Sequence, residues 1–376
     1  MAPTTIKTCR VPKGQPIGSG AFSLVYRAIC EPPGNVVAVK KSRISLRVKR
    51  TILRHEARVL QLLQGHESFP RLVGYARVPH FEYLAMELLG ESVKGKVRNG
   101  KALSKKAVAA VGTQMLSALE HMHSNGLVHR DIKPENILLC PSDASRVRLI
   151  DFGITRPFRT SDPPPARDPQ VHRLHIVGTL NWCSINSHEG VDLGPRDDLE
   201  SLAYVLLFLF RGSLPWRFPE GAPYEPTLRA QARVKASKQA FNPANENEGG
   251  FLGELLLYAR GLKYGEIPAY NHLKEQMAGW GSVPTEPQAL DWTPVPAPVP
   301  GPNVKGIPVT HGDNDDDDLD EDSDEESNEV YSNSYFGLDI DCWDDHAARD
   351  KDVTLPADLT GRLDGLIPVI EQVVEE

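Results

Sequence analysis

The chain has 376 residues, 24% of them charged, and a formal net charge of -8; that length is enough for two bodies with their own cores plus extra sequence. The charge is unevenly spread: residues 281–376 hold 4 basic and 25 acidic side chains, whereas residues 1–280 hold 38 and 25, so a basic body carries an acidic tail that interacts or screens. The five scattered cysteines form no CxxC pair and indicate neither a disulfide framework nor a zinc site, residues 1–10 lack the apolar core of a secretory signal, and the most apolar run, Leu202 to Phe210, is too short to span a bilayer.

In chain order, Pro16 to Tyr26 reads as a glycine-rich strand-turn-strand. Gly18 and Gly20 would let backbone approach a phosphate with no Cβ in the way, although a purely structural turn fits the same residues. Val36-Val37-Ala38-Val39-Lys40 is a short apolar strand ending in a lysine, which by itself reads as an ordinary lysine at a strand end. Lys49 to Leu63 has Ile52, Val59, Leu60 and Leu63 on one helical face and carries Glu56. The basic run Lys40 to Arg50 fits a solvated loop or a nuclear address. Tyr83 to Gly90 is an apolar strand running into a glycine. Ala107 to His123 is a helix with Val108, Val111, Met115, Leu119 and Met122 on one face. His121 and His123, two apart, do not share a face and read as ordinary helix-end residues rather than metal ligands.

Two further stretches follow. His129-Arg130-Asp131-Ile132-Lys133-Pro134-Glu135-Asn136 fits the pattern H-R-D-x-x-x-x-N, and Val147 to Gly153 is a strand closing on D-F-G. Together with the glycine loop, Lys40 and Glu56, they resemble the ordered motif series of protein kinases. The resemblance implies roles. Asp131 would accept the proton of an attacking hydroxyl, Asn136 and Asp151 would ligate Mg2+, and Lys40, paired with Glu56, would hold the α- and β-phosphates of ATP. The nucleotide would lie against Gly18, Ser19, Gly20, Val25, Ala38 and Lys40, with the backbone of Glu87 and Leu89 at the adenine edge, Met86 behind it, and Leu138 and Ile150 beneath. The third glycine of the pattern is Ser23 here.

Thr155 to Thr179 is the expected activation segment, in which Thr160 and Ser161 are candidates for a phosphate read by Arg130. The usual A-P-E is replaced by Ser184-Ile185-Asn186, followed by Arg196-Asp197-Asp198-Leu199-Glu200-Ser201-Leu202 and Gly212-Ser213-Leu214-Pro215-Trp216. Those residues, with the hinge Met86-Glu87-Leu88-Leu89-Gly90, resemble the casein kinase I family of eukaryotic Ser/Thr protein kinases. That resemblance covers about residues 11–280 and implies that Lys133 steadies the γ-phosphate and that Asp198 anchors the catalytic loop. The family's arginine after the G-T pair is Asn181 here; an amide loses the charge-assisted contact to a phosphorylated, primed substrate.

After Trp280, Pro284 to Pro302 reads as a spacer, and residues 313–326 hold eleven acids that repel one another. Leu359 to Val374 carries a modest apolar pattern expected to dock as a short helix despite Pro368. The expected fold is therefore α+β: a two-lobe protein kinase fold over 11–280, with a small β-rich N-lobe to about 89 and a larger helical C-lobe. A Pro-rich linker over 281–312 and an acidic, mostly disordered tail over 313–376 complete the chain. The expected activity is ATP- and Mg2+-dependent phosphorylation of Ser/Thr in protein substrates, acidic ones above all, by a monomer in the cytoplasm or nucleus. No nucleic-acid partner is expected, and the acidic tail is expected either to be a solvated extension or to inhibit from the substrate groove. A pseudokinase scaffold is the runner-up, and a small-molecule kinase of similar fold a third reading.

Overall fold

The computed structural model describes residues 6–20, 23–31, 34–44, 51–97, 101–158, 176–217, 228–242, 250–282, 292, 295–296 and 367–375. The N-terminal part is built on a sheet. Strands β1 (Ile6–Val11), β2 (Gly18–Ser19), β3 (Ser23–Glu31) and β4 (Asn35–Arg43) precede helix α1 (Ile52–Leu62), which leads to β5 (Leu72–Val78) and β6 (Phe81–Glu87). β3 and β4 form a regular antiparallel pair from Ser23 opposite Ser42 to Cys30 opposite Asn35, and β4 pairs antiparallel with β6. Because strand side chains alternate, Lys40 and Lys41 point to opposite faces of β4.

The C-terminal part is mostly helical. It contains β7 (Lys101–Ala102), α2 (Lys105–Ser124), β8 (Leu127–Val128), β9 (Ile137–Cys140), β10 (Asp143–Leu149), β11 (Arg156–Pro157), α3 (Ile185–His188), α4 (Pro195–Arg211), α5 (Leu228–Ala240), α6 (Phe251–Gly261) and α7 (Tyr270–Gly281). The Ser104 hydroxyl caps α2 by accepting from Ala107 N–H at 3.2 Å. α4 is buried on all sides from Leu199 to Leu209, as its unbroken apolar run requires, and stops at Gly212, whose φ is +77°. No helix among the described residues is long and apolar enough to cross a membrane.

Three expectations are corrected. The described part of the C-terminal segment, residues 367–375, is not a helix: β13 (Ile370–Glu375) runs parallel to β1, while further upstream β12 (Val295–Pro296) pairs with β7. The sheet order is β13-β1-β3-β4-β6-β5. Pro368 cannot supply a helical N–H, and Ile370, Val373 and Val374 are β-branched residues that favour a strand. The second correction concerns cysteine: Cys9 and Cys30, opposite each other on β1 and β3, are joined by a disulfide, a pairing that spacing alone did not indicate. The third is His123, which is fully enclosed and has structural partners, given below. Thr160, Ser161 and the acidic run 313–326 lie outside the described residues.

Candidate active site

The sheet delivers one group and the helical part the others. Lys40, on the inner face of β4, donates from Nζ to Glu56 Oε2 on α1 at 2.8 Å and to Asp151 Oδ1 at 2.7 Å. The helix reaches that register because Thr51, at its N-cap, and Leu53 N–H both bond the buried Glu82 carboxylate on β6. Burial opposes the Lys40 charge, but the Asp151 and Glu56 carboxylates outweigh it and raise its pKa. For Asp151 burial acts upward, yet the lysine overcomes it and holds the acid at about 2. Glu56 goes the other way: enclosure raises its pKa despite the lysine. An ionised Asp151 beside a permanently charged Lys40 follows.

The loop from His129 to Asn136 meets this group from below. Asp198, on α4 and 1% exposed, accepts from His129 N–H at 2.7 Å and Arg130 N–H at 2.8 Å. Those two bonds hold Arg130 at φ +71°, left-handed backbone that a non-glycine residue adopts only at a cost. Asp151 has the same unusual φ of +71°. The Asp131 carboxylate is fully engaged within the chain: Lys133 Nζ donates to Oδ2 at 2.5 Å, while Thr179 N–H and its hydroxyl donate to Oδ1 at 3.0 and 2.8 Å. Lys133 Nζ also donates to Thr179 Oγ1 at 3.0 Å. Gly178 makes this approach feasible, since a Cβ there would stand 2.5 Å from the Arg130 carbonyl oxygen. Asn136 Nδ2 donates to the Asp131 carbonyl at 2.9 Å, so its amide oxygen and the Asp151 carboxylate are the two hard oxygen donors of the site. That donor set fits Mg2+, which takes one or two protein oxygens and completes its shell with water and phosphate.

The remaining predicted positions lie on neighbouring strands and their connections. Gly18 and Ser19 pair with Val25 and Leu24, and Gly20 N–H donates to Ser23 C=O at 2.8 Å. Ala38 stands opposite Met86 on neighbouring strands. Glu87 N–H is spent on the Arg71 carbonyl at 2.9 Å, and its carboxylate lies 3.4 Å from Arg148. Leu139 N–H bonds Glu91 C=O and Gly90 N–H bonds Leu139 C=O, and Leu138 stands opposite Ser92 in an antiparallel bridge, which ties the stretch after Leu89 to β9. Ile150 N–H donates to the Asn136 carbonyl at 3.0 Å, so the floor and the loop are joined.

Residues 11–252 match the protein kinase domain family. A protein described as "Probable casein kinase I homolog", from Encephalitozoon cuniculi, is 33% identical over 262 residues, covering 68% of this chain and 80% of that protein. The chain belongs to the casein kinase I family of protein kinases, as a divergent member.

Sequence reasoning missed several supports of this kinase site. In the sequence Thr179 only ends the expected activation segment, yet it contacts both Asp131 and Lys133. His123 ties three helices: Nε2 donates to Asp198 Oδ2 at 3.0 Å, and Nδ1 accepts from the Tyr270 hydroxyl at 2.5 Å. Lys238, fully buried on α5, donates to the carbonyls of Leu180 and Cys183 at 2.8 and 2.7 Å and so pins the stretch after Thr179. Buried Glu200 and part-buried Arg260, 3.2 Å apart and joined by Tyr204, meet α5 through Arg260 Nη2, which donates to the Lys238 carbonyl at 2.8 Å. Helical spacing around His123 was the available signal; Lys238 offered none.

Proposed function

We propose that this kinase is catalytically active, transferring the γ-phosphoryl group of ATP to Ser or Thr hydroxyls of protein substrates, with Mg2+. Its sheet-built part to about residue 89 and its helical part to about residue 280 act as the two lobes that close on the nucleotide. The observation that carries this reading is Lys40 bridging Glu56 and Asp151, because one charge then joins the sheet, α1 and the metal-binding strand end. In the reaction, Lys40 holds the α/β-phosphates and Lys133 offsets charge on the group in flight. Asp131, aligned by the Asp198-anchored loop, receives the substrate hydroxyl in place of its present donors and orients it in line. Asp151 and Asn136 would hold Mg2+, which would supply neutralisation of the phosphate charge.

Substrate choice follows from charge. A body with a +13 balance over residues 1–280 favours acidic proteins. At Asn181 the backbone carbonyl is taken by Trp216 Nε1–H at 3.0 Å and the side-chain oxygen is buried without a partner, so nothing there replaces the arginine that reads a primed phosphate. The acidic run 313–326 competes for the same basic surface and inhibits at low salt. The experiment is phosphoryl transfer from labelled ATP to casein, with Asp131→Asn as control. Transfer by the parent and a loss of at least about 100-fold in the variant is expected. A parent no faster than the variant would leave a partner-binding scaffold in place of an enzyme.

A further inference from the structure

The C-terminal strand occupies a slot that the rest of the sheet leaves open. On one side β13 pairs in parallel with β1, from Ile6 opposite Ile370 to Val11 opposite Glu375. On the other, Tyr75 on β5 bridges Val369, and Tyr75 N–H donates to the Pro368 carbonyl at 2.9 Å. The two edges of the sheet, β1 and β5, are thus joined through one short segment, which closes the sheet on itself. The floor of the slot is Gly74. A Cβ there would lie 2.9 Å from Ile370 Cγ1 and 3.1 Å from Pro368 O, so the absence of a side chain is what admits the strand. Ile370 is 3% exposed and belongs to the small core under the sheet, while Ile367 is 5% exposed and belongs to the main core. At the far end, Glu375 accepts from Lys41 Nζ at 2.6 Å and from the Tyr83 hydroxyl at 2.5 Å, with Lys41 also set over the Phe81 ring at 4.2 Å. Two apolar anchors, backbone pairing on both edges and a carboxylate clamp make up a built peptide site.

We propose that the slot between β1 and β5 is a peptide-binding site, filled in cis by residues 367–375, whose ligand class is an extended β-branched peptide ending in an acidic residue. The chain's own segment fits that class: Ile367 and Ile370 are the buried apolar side chains, Val373 packs partly buried against the small core, and Glu375 supplies the charge. The 84 residues between Ser282 and Ile367 give ample length for the return. Occupancy bears on the kinase site at two points. Lys41, clamped by Glu375, is the neighbour of Lys40 on β4. Tyr75, bonded to Pro368, places its hydroxyl 3.2 Å from Glu82, the residue that also holds Thr51 and Leu53 at the start of α1.

The test uses the full chain and does not depend on phosphoryl transfer, so it fails or succeeds apart from the proposed activity. A fluorescent peptide with the sequence of residues 366–376 is titrated against the parent and against Ile370→Asp, whose buried carboxylate expels the internal strand. Binding to the variant at least tenfold tighter than to the parent, with a rise in the variant's melting temperature, is expected, and adding Gly74→Val to the variant should abolish it. Equal affinity for parent and variant, or no binding to either, overturns the proposal. Hydrogen exchange on the unaltered chain gives an independent readout: the Tyr75 amide should be protected at the level of the central strands, and exchange at the rate of an open edge would overturn the proposal. A parent dimer that Ile370→Asp converts to monomer would overturn the cis assignment in favour of strand exchange between two copies.

Discussion

Replacing Asp198 by Asn tests whether one buried carboxylate sets the catalytic loop. The carboxylate accepts three hydrogen bonds, from His129 N–H, Arg130 N–H and His123 Nε2–H, at 2.7 to 3.0 Å. Burial works against its ionisation, but the His123 bond and the neighbouring donors hold its pKa below the usual carboxylate value. Oδ2 takes two of the donors and Oδ1 takes Arg130. An asparagine keeps one oxygen, which would stay with the pair, so its NH2 faces the Arg130 N–H, donor against donor. A buried N–H left unpaired costs about 1–3 kcal/mol, and two charge-assisted bonds reduced to neutral ones lose roughly 1 kcal/mol each. Release of Arg130 from φ +71° relieves about 1 kcal/mol of backbone strain, so the net loss is about 2–4 kcal/mol. Urea denaturation of the full chain, followed by tryptophan fluorescence and far-ultraviolet circular dichroism, reads it. A double-mutant cycle with Tyr270→Phe, which acts through His123, should show a coupling of at least about 0.5 kcal/mol. A stability loss below about 1 kcal/mol, with no coupling, would refute the assignment of Asp198 as the loop's anchor.

Other predictions follow from the enclosed groups around it. Lys238→Met leaves the Leu180 and Cys183 carbonyls unpaired and should cost about 2–4 kcal/mol; an unchanged denaturation midpoint would count against the pinning role. His188 is held neutral, with a pKa lowered to about 3 by burial and then by the nearby Lys238 charge. Below pH 6.5 the unfolded chain therefore takes up a proton that the folded chain refuses, and stability falls as pH drops, by about 2 kcal/mol between pH 6.5 and 5 from this group alone. His188→Gln should flatten the acid limb of the stability profile, and parallel profiles for parent and variant would exclude the effect. The Cys9–Cys30 bond spans a sequence separation of 21, a loop whose closure is worth about 3 kcal/mol through the unfolded state. Reductant and the Cys9→Ser/Cys30→Ser double variant should lower the melting temperature equally, whereas no shift in either would show that the bond does not contribute.

What the sequence made legible and what it hid divide by the distance over which each residue acts. Asp131 and Asn136 sit five residues apart on one loop, and Asp151 closes the next hairpin, so their spacing within the kinase-like motif series implies one site. Lys40 and Glu56 are a strand end and a helix position, and it is the kinase-like motif series around them that singles out Glu56, which the structure buries on α1. The supports lie elsewhere in the chain. His123 meets Asp198 across 75 residues and Tyr270 across 147, and Lys238 reaches back 55 to 58 residues. Nothing local distinguishes such a lysine from a solvated one, because its partners are backbone carbonyls that any sequence has.

The C-terminal segment shows why an apolar period is not enough to choose a conformation. Leu363, Leu366, Ile367, Ile370 and Val373 recur at three and four residues, which fits a helix face. The same residues from Ile367 onward also contain Pro368 and a run of branched side chains, which weaken a helix and suit a strand. An isolated strand has no hydrogen-bond partner, so local propensity alone could not settle the choice. The deciding term is the open backbone of β1 and of Tyr75, supplied by residues about 290 to 365 positions earlier, together with the glycine gap at Gly74 that gives Ile370 its place. A strand in this position is therefore specified by its acceptor more than by its own composition, and Gly74 carries more of the information about it than any residue of β13.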